Sequence, residues 1–419
     1  MNRGPQPSIL VVSQYYYPEQ FRINDMCSEW VKRGYKVMVV TGIPNYPAGR
    51  FFDGYGLFSK RKETYNGVKI VRIPLVSRGK SKIRLGLNYL SFLISGFLWQ
   101  LFTKHRADIV FSFEVSPMSQ VLPAVWYAKR RGVACMAYIQ DLWPENFVEM
   151  SGISNASIVK IIDRMADYIY AHCSRIFVTS NSFKSAIERR GVPSSKVFFW
   201  PQYYEEFYCP SKDKSPLVED SGGFSIAFTG NIGVSQGLDI LPRAAKLLKD
   251  EGMLVRFILV GEGRGLAELV NEIVTYGVQD CFQFIPRQPS ETIPSILASV
   301  DAAFLSFADK ELFNMTIPAK LQSYMACGKP ILAAVGGETK RVIEDADCGI
   351  VTELGNESAL ANAITRMSRA TIEERMRWSL NAVNYAETHF NKKALMDAMD
   401  VHISECITQG SSTLFRTVD

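Results

Sequence analysis

The stretch Pro318-Ala-Lys-Leu-Gln-Ser-Tyr-Met-Ala-Cys-Gly-Lys-Pro330, followed at once by Ile-Leu-Ala-Ala-Val335, decides the fold. It reads as a loop, a short helix, a Gly328 stop and a buried strand. A helix starting at the C-terminal edge of a parallel sheet lies where such folds bind ligands. Its first turn carries Lys320, so free backbone N–H groups and one ammonium point at the same spot. That pairing suits a phosphate. A second loop, Gly230-Asn-Ile-Gly233, follows a strand-like run at 224–229 and precedes a helix expected from about residue 237. Its two glycines let backbone approach an anion, which makes Asn231 and Gly233 candidate contacts for a nucleotide diphosphate.

Outward from these loops, short β-branched runs alternate with amphipathic helical patterns, the signature of a parallel sheet. Strands are expected at 9–13, 36–41, 68–74, 108–113, 134–140, 175–179 and 196–200, and again at 224–229, 255–260, 282–286, 302–307, 330–335 and 349–352. The polar stretch 204–223, with Pro210, Pro216 and Gly222-Gly223, breaks the rhythm and is expected to be a linker. The fold class is therefore α/β, with two Rossmann-like doubly wound domains in tandem, 1–203 and 224–385. The cleft between their C-terminal strand edges is the expected ligand site.

The chain has 419 residues and a net charge of +5. Residues 1–110 hold 17 Lys and Arg against 6 Asp and Glu, a net of +11, which leaves −6 on the remainder. A basic first half suits an anionic partner, although a merely soluble basic face has the same composition. The eight cysteines are scattered without a CxxC pair and read as reduced thiols of a cytosolic protein. The opening Met-Asn-Arg-Gly-Pro leads straight into a strand and is not expected to hold a secretory signal.

Other candidates stand on loops after strands. Gly261-Glu-Gly-Arg-Gly265 invites a dinucleotide reading. It does not follow a first strand, and no acidic residue ends the next one, so Arg264 is taken as a diphosphate contact instead. Arg287 follows the 282–286 strand in the same way. Glu338, in Gly336-Gly-Glu-Thr339, would sit at a helix N-terminus and either rest on the dipole or reach a sugar hydroxyl. In Gln140-Asp-Leu-Trp-Pro-Glu145, Asp141 ends an apolar strand. It either caps the turn or orients and deprotonates an acceptor hydroxyl; Glu145 is a weaker candidate, and Glu19 and Arg22 lie on the facing loop. No His pair has metal spacing, so no metal site is expected, and no P-loop or nucleophile elbow is present. Residues 85–102 carry no charge and are flanked by Arg78, Lys80, Lys82 and Arg84 before and Lys104, His105 and Arg106 after. The segment reads as a membrane-docking helix, a buried helix or, less readily, a spanning one.

Taken together, Tyr-Tyr-Pro-Glu after the first strand, Gln-Asp-Leu-Trp-Pro-Glu, Gly-Asn-Ile-Gly and Lys-Leu-Gln-Ser-Tyr-Met-Ala-Cys-Gly-Lys-Pro resemble the family 4 glycosyltransferases of the GT-B fold. Within it they look most like bacterial O-antigen, capsule and colanic acid transferases, especially the L-fucosamine transferase group. The resemblance implies a UDP-sugar donor substrate, no cofactor or metal, and retention of anomeric configuration. It implies a polyprenyl diphosphate-linked acceptor presented at the inner membrane, peripheral contact on the cytoplasmic face, and no nucleic-acid partner. It also implies that terminal helices, 386–419, return to the first domain. Met315 and Ser323 occupy the positions of the family's Glu-x7-Glu pair, so ribose contact passes to Gln322 or Ser323. Asn231 and Gln236 replace its common Arg and Lys, so Lys320, Arg264 and helix N-termini must meet the diphosphate. Gln140 stands where a histidine is common. A UDP-sugar 2-epimerase and a catalytically degenerate membrane scaffold are the competing readings.

Overall fold

The computed structural model describes residues 6–153, 155–219 and 222–415, so the opening five residues of the sequence lie outside it. The chain divides into two units. The first takes the chain to Val178, then Lys184–Phe199 and, from Ala398, the final helix; the second holds Thr179–Phe183 and Trp200–Asp397.

In the first unit, β1 (Ser8–Val12), β2 (Lys36–Thr41), β3 (Lys62–Tyr65), β4 (Val68–Arg72), β5 (Ile109–Glu114), β6 (Ala134–Ile139), β7 (Arg175–Val178) and β8 (Val197–Phe199) form one sheet. Its order is β3-β4-β2-β1-β5-β6-β7-β8. Every neighbouring pair is parallel except β3 with β4. All six residues of β5 are buried, as expected of a central parallel strand covered on both faces. The edge strand β3 escapes the apolar pattern because its Lys-Glu-Thr-Tyr is half solvated. It turns back through Asn66-Gly67, both at positive φ (47° and 79°), the two-residue hairpin that Asn-Gly favours.

In the second unit, β9 (Phe224–Thr229), β10 (Val255–Val260), β11 (Phe282–Ile285), β12 (Ala302–Ser306), β13 (Ile331–Ala334) and β14 (Gly349–Thr352) run all parallel in the order β11-β10-β9-β12-β13-β14. This is the doubly wound order 3-2-1-4-5-6. Alternation along the strands separates two cores. Phe224, Ile226 and Phe228 enter one and Ala227 the other, as do Phe257 and Leu259 against Ile258 and Val260. The polar stretch 204–223 is part of this unit. Ser215 N–H donates to Ser299 Oγ at 2.8 Å, Gln283 Nε2 donates to Leu217 O at 2.7 Å, and Glu219 pairs with Arg256 at 2.6 Å. The final helix, Lys392–Phe415, is tied into the first unit by Arg33–Asp400 at 2.9 Å and Arg175–Glu405 at 2.5 Å.

The uncharged segment forms the helix Lys82–Phe102, which among the described residues is the one helix long and apolar enough to cross a membrane. It joins β4 to β5, which lie in one sheet, and so serves as a crossover helix of that sheet. Its buried residues are Asn88, Phe92, Gly96 and Gln100, one stripe at a spacing of four. A Cβ on Gly96 would stand 2.5 Å from Pro123 Cγ, so only glycine permits this close approach to the helix Leu122–Arg131.

Candidate active site

In the second unit every strand is parallel, so the loops after β9, β10, β11, β12 and β13 share one edge of the sheet. The order reverses at β9, flanked by β10 and β12, where a doubly wound sheet opens a crevice. There Gly230 takes φ 132°, and its N–H donates to Val260 O at 2.9 Å. Ile232 N–H donates to Glu262 O at 2.9 Å, and Gly265 N–H to Ile232 O at 3.0 Å. A Cβ on Gly261 would lie 1.9 Å from Gly230 O, and one on Gly263 2.1 Å from Ile232 O. The glycines of Gly261-Glu-Gly-Arg-Gly265 thus let two loops interlock; this explains the motif without a dinucleotide. The N–H groups of Asn231 and Gly233 donate to nothing among the described residues.

Lys320 belongs to the helix Ala319–Ala326, whose N-cap is Pro318. Its ammonium lies 4.0 Å from the centre of the Phe228 ring, donates to Gln236 Oε1 and approaches Gly230. Among the described residues it has no carboxylate partner. Burial alone pushes its pKa down to about 7 from 10.5. A buried cation over an aromatic face, with no carboxylate to balance it, is costly to hold. Arg264 and Arg287 are exposed on the loops after β10 and β11, along the same edge.

Several expectations need correction. The loop at Gly230 does not lead directly into an α-helix. A short 3-10 turn, Val234–Gln236, comes first, and the helix Ile240–Asp250 starts only after Gly237, whose left-handed φ of 58° brings it against Phe307 O. Helix-dipole support at this loop is therefore lost, and its free N–H groups remain. Gln322 is buried, and Ser323, also buried, returns its hydroxyl to Ala319 O at 3.3 Å. Glu338 does lie in the first turn of the helix Gly337–Asp345. Both of its oxygens are engaged, Oε1 by Ser182 N–H and Oγ–H at 2.7 and 2.8 Å and Oε2 by Arg341 at 2.5 Å, which fix the carboxylate in place.

In the first unit the order reverses at β1, and polar groups again gather at the C-terminal edge. Asp141, just beyond β6, is half-buried; its Oδ2 accepts Ser116 N–H at 2.8 Å and Ser116 Oγ–H at 2.7 Å, while Oδ1 makes none of the described bonds. Asn146 Nδ2 donates to Ser116 Oγ at 2.7 Å and holds that hydroxyl in place. Glu114, at the end of β5, is the reciprocal clamp. Its Oε2 accepts the N–H groups of Gln140 and Asp141 at 3.2 and 3.1 Å, and its Oε1 is buried without a partner. Burial first, and the Asp141 charge second, raise the Glu114 pKa well above the carboxylate range. Glu145 is exposed at the start of the helix Glu145–Ser151. Glu19 is buried, accepts the N–H groups of Asn45 and Tyr46 at 2.7 and 2.6 Å, and is pushed up to about 7 by burial.

Sequence reasoning missed Glu114, although it ends an apolar strand just as Asp141 does. It also missed the roles of Arg78 and Asn88. Arg78 donates to the Tyr15 hydroxyl at 2.9 Å and lies over the Tyr46 ring, with no carboxylate partner among the described residues. Asn88 accepts from Gln14 Nε2 at 2.7 Å and donates to Val76 O at 2.6 Å. Among the described residues no group of three or more His, Cys, Asp or Glu could hold a metal ion.

Glu114→Gln should leave stability within about 1 kcal/mol, because the amide oxygen still accepts both N–H groups. Glu114→Ala strands them and should cost about 2–4 kcal/mol. The raised pKa fixes the sign of the pH effect. The Glu114 contribution is complete below the unfolded carboxylate's value near 4.5 and fades as pH rises through the folded value. Thermal melts across that range should fall less steeply for Glu114→Gln than for the natural chain.

Two doubly wound sheets, each with its polar side chains at the C-terminal edge, are the GT-B architecture. Over 97% of this chain and all of the other, the fold matches a sucrose-phosphate synthase from Thermosynechococcus elongatus, with a TM-score of 0.73 at 14% identity. It matches Anabaena HepE, solved in complex with UDP, over 95% of this chain and all of the other, with a TM-score of 0.69 at 15% identity. The chain is a glycosyltransferase. Residues 20–201 match the family model of the glycosyl transferase 4-like domain, and residues 211–385 that of the glycosyl transferases group 1. It is 28% identical over 303 residues to the probable glycosyltransferase WbjE of Pseudomonas aeruginosa, covering 69% of this chain and 72% of the relative. It is 26% identical over 339 residues to the putative colanic acid biosynthesis glycosyl transferase WcaI of Escherichia coli K12, covering 76% and 81%.

Proposed function

We propose that this chain transfers a sugar from a UDP-sugar to a polyprenyl diphosphate-linked acceptor, with retention of configuration, during assembly of O-antigen, capsule or exopolysaccharide. In this reading it works as a peripheral protein on the cytoplasmic face of the inner membrane. The observation that carries it is the uncompensated ammonium of Lys320, half-buried beside the Gly230 loop. The names of WbjE and WcaI, and the UDP bound by HepE, support the choice of substrates. The leaving diphosphate is met by Lys320, by the N–H groups of Asn231 and Gly233 and by the exposed Arg264 and Arg287, all donors set before charge develops. Asp141 offers its open Oδ1 to the acceptor hydroxyl, as hydrogen-bond acceptor and base.

Calorimetry with UDP tests the donor site. Lys320 is half neutral near pH 7 when free, and a bound diphosphate restores its charge. Binding should therefore take up protons above pH 7, and affinity should weaken toward about tenfold per pH unit between pH 7 and 9. The enthalpy should scale with the ionisation heat of the buffer. A chain that binds no UDP would return the scaffold reading. Mass spectrometry of reactions with UDP-, GDP- and dTDP-sugars and a short lipid diphosphate–GlcNAc acceptor assigns the transfer. The N-acetyl-L-fucosamine donor is to be tried first, on the strength of the sequence resemblance. Epimerised donor in reactions lacking acceptor would favour the epimerase reading instead.

A further inference from the structure

We propose that the helix Lys82–Phe102 is a docking element that lies flat in the headgroup layer of an anionic phospholipid bilayer. Ile83, Leu87, Leu90, Ile94, Leu98 and Phe102 enter the acyl boundary. The lipid-linked acceptor of the proposed function gives this surface its purpose, but the evidence for it is independent. A surface helix of a water-soluble domain turns its apolar side inward and its polar side out. This one buries Phe92 and Gly96 yet keeps no polar outer side. Its buried stripe contains Asn88 and Gln100, and Asn88 is bonded to Gln14 and Val76. Its outer arc is apolar along the whole length, with Ile83 78% and Phe102 79% exposed and Leu87, Leu90, Ile94 and Leu98 near half. At 1.5 Å per residue the arc is about 30 Å long, far more than a scattered apolar residue or two.

Charge selects the occupant. Residues 64–107 contain eight Lys or Arg and no Asp or Glu. Lys80, Lys82 and Arg84 stand exposed at one end of the helix and Lys104 and Arg106 at the other. The first turn has two cations and no acidic residue, opposite to what the helix dipole favours. These charges therefore do not serve the helix itself. They suit lipid phosphates at both ends of an apolar face. A second copy of the chain fits poorly, because a two-fold contact through this patch would bring its own basic rims together.

Flotation of the full chain with phosphatidylcholine vesicles, with and without phosphatidylglycerol, is the test. The natural chain should bind vesicles containing phosphatidylglycerol, release with rising salt, and bind pure phosphatidylcholine weakly. Leu90→Glu/Ile94→Glu should lose at least about tenfold in partition. Replacing Lys80, Lys82 and Arg84 by Gln should lose about fivefold per charge on the anionic vesicles alone. UDP calorimetry on each variant reports that the fold survives. A chain that binds UDP but ignores both vesicles, or whose Leu90→Glu/Ile94→Glu variant floats unchanged, overturns the docking surface. So does a dimer that this variant dissociates without any vesicle binding. A chain that floats on anionic vesicles yet binds no UDP sinks the donor site and leaves the docking surface standing.

Discussion

Lys320→Met should lower transfer by about a hundred- to a thousandfold while the protein melts no earlier than before. The loss is large because the half-buried ammonium stands at the loop that would hold the diphosphate, and because its charge counts for more over Phe228 than in water. Stability moves the other way. The folded chain pays to hold this cation out of water, which is why its pKa falls to about 7. In the free protein the Lys320 contribution rises between pH 7 and the unfolded lysine's value near 10.5, where only the unfolded chain keeps the proton. Methionine fills similar space, removes that desolvation, and gives up the bond to Gln236. Steady-state rates and thermal melts of the same preparation decide the matter. Turnover near that of the natural chain would remove Lys320 from the site.

Asp141→Asn should cost about a hundred- to ten-thousandfold in kcat with a small effect on KM for the donor. The substitution keeps the acceptor oxygen that Ser116 binds and removes only the charge and basicity offered at Oδ1. Its counterpart is Glu114→Gln, which should leave kcat nearly unchanged. The two carboxyl groups end adjacent strands and clamp each other's loops, yet their settings differ: Asp141 is half-buried, whereas Glu114 is fully buried and its pKa is raised by that burial. A pH–rate profile is the discriminating readout. The acid limb should disappear in Asp141→Asn and persist in Glu114→Gln. An unchanged profile in Asp141→Asn would reduce Asp141 to the capping residue of its turn.

How much of this was legible beforehand depends on the length over which each signal acts. The parallel strands were readable because an apolar run buried on both faces is a local property; β3 was not, because half its side chains face water, although Asn66-Gly67 marked its turn. The place of Lys320 in the first turn of its helix was readable because the proline before it marks the helix start. The engagement of Glu338 was not, because its partner Ser182 stands 156 residues away in the chain. The interior position of Gln322 and Ser323 likewise follows from tertiary packing around a helix whose residues from Leu321 to Ala326 are all buried. The uncharged segment 85–102 left spanning, docking and burial open, since all three share a composition. The return of β5 to the sheet of β4 and the inward turn of Asn88 depend on residues outside the segment.

The interlock of the Gly230 and Gly261 loops bears on redesign of donor choice. With backbone oxygens seated where Cβ atoms at Gly261 and Gly263 would be, the two loops form one rigid block that tolerates neither insertion nor a larger residue at those points. Libraries aimed at new sugars should leave that block, Arg264 and Arg287 untouched and vary Asn231, whose exposed side chain is free of the diphosphate role given to its N–H.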